Sequence, residues 1–255
     1  MEIISKYFNM NAEGCSIRGK YYARDNDEIR TAVLCGHGFG GHKDNRAVER
    51  FADRILEKNR GAAIVTFDFP CHGDDVRKTL RLEDCGKYIG LMISWTGERF
   101  RSPALYAYST SFGGYLFLKY ISEAENPFEK IALRCPAVNM YDVITNAIMT
   151  EDDRRLIARG KSAPVGFDRK VLIDRTFLDS LRLADITRRD YSALSDRTLI
   201  LHGTGDEIVP FESARIYAEK NSIAFEPVEG ADHRFRDPRK MDQAIGRIAE
   251  YFGFK

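Results

Sequence analysis

The chain lacks any apolar run long enough to cross a membrane as a helix. Its opening residues, Met1 to Phe8, carry no basic region followed by an apolar core, so no secretory leader is expected. Neither sign of charge dominates. Lys and Arg number 39 against 38 Asp and Glu, a net charge of +1 at pH 7. Such a balance gives no reason to expect nucleic acid or an anionic membrane as a partner. The five cysteines (Cys15, Cys35, Cys71, Cys85, Cys135) are odd in number, scattered and free of any Cys-x-x-Cys pair. That pattern argues against a disulfide frame or a zinc site and fits reduced thiols in a cytoplasmic protein. Internal repeats and low-complexity linkers are missing as well. What is present is ordinary for a globular chain, with 44% hydrophobic and 30% charged residues. A chain of 255 residues buries about 75% of its unfolded surface, ample for one large α/β domain or two small ones.

Periodicity supplies the order of elements. Residues 2–9 and 14–23 alternate weakly and suit two antiparallel strands. Thr31 to Cys35 is a short apolar run that ends in Gly36-His37-Gly38-Phe39-Gly40-Gly41, a strand followed by a glycine loop. From Arg46 to Lys58 the residues Val48, Phe51, Ala52, Ile55 and Leu56 form a helical stripe. Ala62 to Phe67 reads as a strand closed by Asp68-Phe69-Pro70-Cys71-His72-Gly73, and Tyr88 to Trp95 as a helix. Further strands are expected at 130–135, 198–202 and 224–228, and helices at 213–220 and 241–252. Near-continuously apolar strands alternating with helices predict a mostly parallel sheet covered on both faces. The exception is the stretch 137–189, which shows charge-rich helical pieces at 151–155 and 182–190 and no good strand. Its apolar residues, among them Ile144, Ile148, Phe167 and Phe177, face either a core or a pocket. The expected organisation is therefore a core of 1–136 and 190–255 with 137–189 inserted as a helical lid.

The centre of the pattern is Tyr106-Ala107-Tyr108-Ser109-Thr110-Ser111-Phe112-Gly113-Gly114. An apolar strand, a serine at a turn and a following helix are the layout of a nucleophile elbow, which lifts a serine oxygen above the sheet. The backbones two before and two after the nucleophile nearly collide, so both places need small residues. Ser109 and Gly113 stand there if Ser111 is the nucleophile, the first being a departure from glycine. Ser109 itself, flanked by Ala107 and Ser111, is the alternative. The glycines after Ser111 and the helix beyond them favour Ser111.

In a parallel sheet, ligands bind where loops gather beyond the carboxyl ends of the strands. The glycine loop, Ser111, Asp206 and His233 all fall at such ends. A serine nucleophile needs a base to take its proton and a third group to hold that base in one tautomer. His233 and Asp206 supply these roles, in the order Ser, Asp, His. Backbone N–H groups of Phe39 and Phe112 supply the two donors that an oxyanion requires.

The ordered set resembles the α/β-hydrolase family. His37-Gly38-Phe39-Gly40-Gly41 is similar to its oxyanion loop, Asp68 to Gly73 to the loop after the next strand, and Ser109-x-Ser111-x-Gly113 to the elbow. Gly203-Thr204-Gly205-Asp206-Glu207-Ile208-Val209-Pro210 resembles the acid loop, and Gly230-Ala231-Asp232-His233 the histidine loop. The resemblance covers roughly 200 residues, and five motifs in order are more specific than any one alone. Within the family the chain is most similar to small bacterial esterases of the cinnamoyl and feruloyl type and to monoacylglycerol lipase-like enzymes. It implies an α/β-hydrolase fold and a serine carboxylesterase acting through an acyl-enzyme, with no cofactor or metal. The expected partner is a small-molecule ester. Cys71 stands where a glycine is common.

Rival readings attach to the same residues. Gly36-x-Gly38-x-x-Gly41 also matches a dinucleotide fingerprint, with Asp68 ending the next strand. The helical stripe starts several residues too late to aim its N-terminus at a pyrophosphate. His37 and His202 read as structural, and His42 and His72 as loop or pocket-rim residues. Glu207 is an alternative acid, and a metal site from His202, Asp206 and His233 lacks helical histidine spacing. Amide or peptide hydrolysis by the same triad, and a catalytically silent binding protein on this fold, complete the alternatives.

Overall fold

The computed structural model describes residues 2–25, 28–75 and 79–254. β1 (Ile3–Ala12) and β2 (Cys15–Arg24) form an antiparallel hairpin that joins the sheet where β2 pairs with β4 (Ala62–Phe67). β3 (Thr31–Gly36), β5 (Ala104–Thr110), β6 (Lys130–Arg134), β9 (Thr198–Gly203) and β10 (Ala224–Val228) continue it in parallel. The order across the eight strands is β1-β2-β4-β3-β5-β6-β9-β10. The central strands are apolar throughout because both faces are covered. Ala32 and Leu34 of β3 join one buried cluster, Val33 and Cys35 the other.

α1 (Arg46–Lys58) and α8 (Pro238–Phe252) cover one face. Asn45 caps α1 by accepting from Ala47 N, and its buried stripe is the one expected, Phe51 being fully enclosed. Truncating Phe51 to alanine costs about 3–5 kcal/mol by the usual transfer and cavity terms. α8 opens on Pro238 with Asp237 as cap and closes on Gly253 at φ 81°. α2 (Leu82–Phe100) and α3 (Phe112–Glu123) cover the other face, and α7 (Phe211–Lys220) packs on β9 and β10. α7 and α8 start earlier than periodicity marks, because Phe211-Glu212 and Pro238-Arg239-Lys240 carry no stripe, and α2 runs past the expected stretch at both ends, from buried Leu82 to Phe100.

Between β6 and β9 the chain leaves the sheet. α4 (Met140–Asp142) runs into a π-helical turn at Val143–Ile148, and α5 (Glu151–Ala158) starts behind a Thr150–Asp153 capping box. Contrary to the expectation of no strand here, β7 (Ala163–Val165) and β8 (Val171–Ile173) form a small antiparallel hairpin. Three residues, one of them Pro164, are too few to show alternation. The helical piece expected at 182–190 is instead the end of α6 (Arg175–Leu183) and one 3-10 turn at Ile186–Arg188. Asp174 caps α6 from Phe177 N and also takes a two-pronged ion pair from Arg81. The excursion packs against the main core through Ile144, Phe177 and Leu181, whereas Phe167 is 44% exposed. Tyr115 Oη donates to Ala184 O at 3.0 Å, and Leu80 N to Leu172 O at 3.0 Å, tying it down further. No helix among the described residues is long and apolar enough to cross a membrane.

Candidate active site

β5 ends at Thr110, α3 begins at Phe112, and Ser111 makes the turn between them at φ 54°, ψ −121°. A side chain in that region costs of order 1–3 kcal/mol, held here by the surrounding structure. Ser111 N donates to Arg134 O at 3.1 Å, and Ser111 O accepts from Tyr115 N and Ala137 N. The turn is crowded. A Cβ on Gly113 would lie 2.5 Å from Ser109 Oγ and 2.6 Å from His37 O, and one on Gly36 2.5 Å from the same hydroxyl. Ser109 is therefore accommodated because Gly36 and Gly113 leave room for its oxygen, which donates to Gly36 O at 3.1 Å. Buried and engaged, Ser109 is part of the elbow's frame. Ser111 Oγ instead reaches a cavity.

His233 closes the loop after β10, and its Nε2 lies 3.0 Å from Ser111 Oγ. Its Nδ1 lies 2.8 Å from Asp206 Oδ2. An ionised Asp206 accepts, so Nδ1 carries the proton and Nε2 is the acceptor for the serine hydroxyl. Asp206 has four donors. Ile208 N and Val209 N reach Oδ1 at 2.9 and 2.8 Å, and His202 Nε2 joins His233 at Oδ2 at 3.1 Å. Burial alone would raise this carboxyl, yet the hydrogen bonds from His202 and His233 outweigh it and hold it well below the usual carboxylate range. Glu207 accepts from the backbone N of His233 at 3.0 Å, so the alternative acid holds the loop and leaves the imidazole to Asp206.

His202, read from sequence as a buried structural residue, is thus a second donor to the acid. Cys135 lies with His202 and Asp206 inside one small cluster. Burial, reinforced by the Asp206 charge, pushes its thiol up, so it stays protonated and is a poor metal ligand. Asp206 is already saturated by its four donors, which leaves the cluster little to offer a cation.

The glycine loop after β3 lies over Ser111: a Cβ on Gly38 would sit 3.3 Å from Ser111 Cβ. Phe112 opens α3, where helix geometry leaves its N–H without an intrahelical acceptor. Among the described residues, neither the Phe39 nor the Phe112 amide has an acceptor, and their rings meet edge to face at 5.5 Å. His37 supports this loop from below. Its Nδ1 pairs with Gly38 O at 2.8 Å and its Nε2 accepts from Phe69 N at 3.1 Å. Burial and the neighbouring His72 lower its imidazole, keeping it neutral. His72 is equally buried, with Nδ1 on Pro70 O at 2.8 Å and its ring stacked on Phe112. It lies under the site, away from the pocket rim. His42 does line the cavity. Cys71 has φ 65°, the physical reason that glycine suits its position.

Asp68 is fully buried and accepts from Lys43 N, Lys43 Nζ and Asp74 N. It is thereby withdrawn from any ribose. α1 starts at Arg46, beyond a separate cap and too far from the last glycine of the loop to hold a pyrophosphate there. The cavity over Ser111 measures about 940 Å³ and runs between the glycine loop, the start of α1, Phe167 to Arg169, and the start of α8.

Sheet order, elbow and acid and histidine loops define an α/β hydrolase. The profile described as "Alpha/beta hydrolase family" matches residues 32–244, and the chain belongs to that family. Among solved structures it is similar to Est1E from Butyrivibrio proteoclasticus with ferulic acid bound. The TM-score is 0.73 at 18% identity, over 96% of this chain and 99% of that one. It is similar also to the esterase domain of a Rhodothermus marinus protein, with TM-score 0.68, 18% identity and 98% of both chains covered. The mouse alpha/beta hydrolase domain-containing protein 10 aligns with TM-score 0.68 at 16% identity, over 97% of this chain and 98% of that one.

Proposed function

We propose that the protein is a serine hydrolase that cleaves carboxylic esters through an acyl-enzyme. The observation that carries this reading is the unbroken hydrogen-bonded series Ser111 Oγ, His233 Nε2, His233 Nδ1, Asp206 Oδ2, opening on a cavity. Ser111 Oγ attacks the ester carbonyl as its proton passes to His233 Nε2. Asp206 holds the imidazole in the required tautomer and stabilises the imidazolium. The carbonyl electrons move onto oxygen, which the Phe39 and Phe112 N–H groups receive. Collapse of this tetrahedral species expels the alcohol, which takes the proton from His233. Water then attacks the acyl carbon as its proton passes to the same nitrogen, and the second tetrahedral species releases the acid while His233 returns that proton to Ser111 Oγ. Residues 137–189 serve as the lid, anchored to the core on one side and bordering the cavity through Ile148 and Phe167.

The Rhodothermus marinus neighbour is described as an esterase domain, which favours ester over amide as the bond broken. Hydrolysis of 4-nitrophenyl butyrate tests the reading. Ser111→Ala abolishes turnover with little change in melting temperature, whereas full activity in that variant refutes it.

A further inference from the structure

Six arginines and only two aspartates line the cavity over Ser111. Half of the arginines are matched: Arg50 by Asp242, Arg234 by Asp168 and Arg236 by Asp232. Arg46, Arg134 and Arg169 have no carboxylate partner among the described residues. Asp44, the other lining acid, is occupied by Lys20, Lys43 and the Tyr7 hydroxyl. The cavity therefore holds uncompensated positive charge.

Arg134 is the telling residue. It closes β6, its carbonyl accepts from Ser111 N, and its side chain is 4% exposed. The guanidinium lies over the Phe235 ring at 4.9 Å with the Tyr108 phenol beside it. Nη1 has only long contacts, to Arg234 O at 3.5 Å and Met241 Sδ at 3.9 Å, and Nε is buried with no partner. A buried guanidinium without an anion is costly. Aromatic contact and the Tyr108 hydroxyl recover part of that cost and leave the guanidinium without an anion, its Nε unfilled. Arg46 and Arg169 stand exposed at the same cavity's mouth. His42, also in the lining, is lowered by burial and next by the Arg169 charge, a sign of the local positive potential.

We propose that this cavity selects esters carrying an anionic group, a carboxylate or a phosphate, which the Arg134 guanidinium binds with Arg46 and Arg169 drawing it in. The inference rests on the esterase reading and names its substrate class. A carboxylate or phosphate matches the planar fork of arginine in two parallel hydrogen bonds. Alkyl or aryl esters without charge leave Arg134 desolvated and unpaired.

The test compares matched esters in the full chain. With the anion on the acyl side, the pair is the 4-nitrophenyl monoester of glutarate and 4-nitrophenyl pentanoate. On the alcohol side it is carboxymethyl butyrate and propyl butyrate, with 2-phosphoethyl butyrate separating phosphate from carboxylate. In at least one pair kcat/KM favours the anionic member by about tenfold to a hundredfold, the worth of a charge-assisted hydrogen bond. The preference shrinks as salt rises. It falls at least about tenfold in Arg134→Gln, partly returns in Arg134→Lys, and falls several-fold in Arg46→Gln or Arg169→Gln, rim changes that keep the test valid if Arg134→Gln fails to fold.

Turnover of neutral esters with no anionic preference in either pair overturns the inference and leaves the esterase reading standing. If no ester is cleaved and a fluorophosphonate leaves Ser111 unmodified, the esterase reading fails. Calorimetry with glutarate and with inorganic phosphate then judges the anion site alone. Binding lost in the Arg46→Gln, Arg134→Gln and Arg169→Gln variants upholds it, and no binding to the unmodified chain overturns it.

Discussion

Replacing Asp206 with asparagine removes one charge and almost no volume, yet it reverses the hydrogen bonding of two imidazoles. The asparagine oxygen takes the place of Oδ1 and keeps the Ile208 and Val209 N–H groups. Its amide nitrogen then faces His233 Nδ1 and His202 Nε2, both of which donate in the parent protein. Each imidazole must change tautomer to accept. In His233 that puts a proton on Nε2, the atom that has to take the serine proton, so kcat falls about 10⁴-fold. In His202 it withdraws the donor from Val209 O and moves a proton to Nδ1, a buried atom without a partner. One unsatisfied buried donor costs about 1–3 kcal/mol. The same variant therefore loses turnover and melts lower. Glu207→Gln keeps its carbonyl for His233 N and changes kcat by no more than a few-fold. Steady-state hydrolysis of 4-nitrophenyl butyrate and thermal melts on both variants check this. Near-normal turnover in Asp206→Asn with collapse in Glu207→Gln refutes the assignment of the acid.

Ser109→Ala removes a hydrogen bond to Gly36 O, a carbonyl that stays within the β3–β5 ladder, so it destabilises by about 0.5–1.5 kcal/mol while most activity survives. Urea unfolding and esterase rates separate the two effects, and loss of all turnover in a folded variant contradicts the framing role. Acid should weaken the fold through His72, whose imidazole burial pushes down to about 4 from an ordinary 6.5. Between those values the unfolded chain binds the proton and the folded one does not, so stability falls as pH drops from 6.5 toward 4, by about 3 kcal/mol from this residue. His37 acts with the same sign. Denaturant midpoints of the parent and His72→Phe across that range should diverge, and parallel curves would argue against a neutral buried His72.

The layering of this protein was legible because both faces of the sheet are covered. Strands such as Ala62–Phe67 are apolar from end to end, and α1 shows its stripe plainly. Ser111, Asp206 and His233 were legible because each comes after a strand at the same sheet edge. Ser109 was ambiguous, since whether its hydroxyl is spare or enclosed depends on the gap between Gly36 and Gly113, which are distant in sequence. β7 and β8 bury Ala163, Val165, Val171 and Ile173 on one face, but at three residues each they are too short for that alternation to stand out in the sequence. His202 looked structural because a histidine that ends a strand shows nothing of the carboxylate it meets four residues later. Arg134 offered one faint signal, a charge closing an apolar strand at the ligand-binding edge. Its lack of a carboxylate partner is a tertiary fact.

Labelling with a fluorophosphonate, then peptide mass spectrometry, tests the central claim most directly. The reagent should add once, to the peptide containing both serines, with fragment ions placing the adduct on Ser111. Ser109→Ala should still label, and Ser111→Ala and Asp206→Asn should label slowly or not at all. An adduct on Ser109, or none on a folded parent protein, would contradict the account.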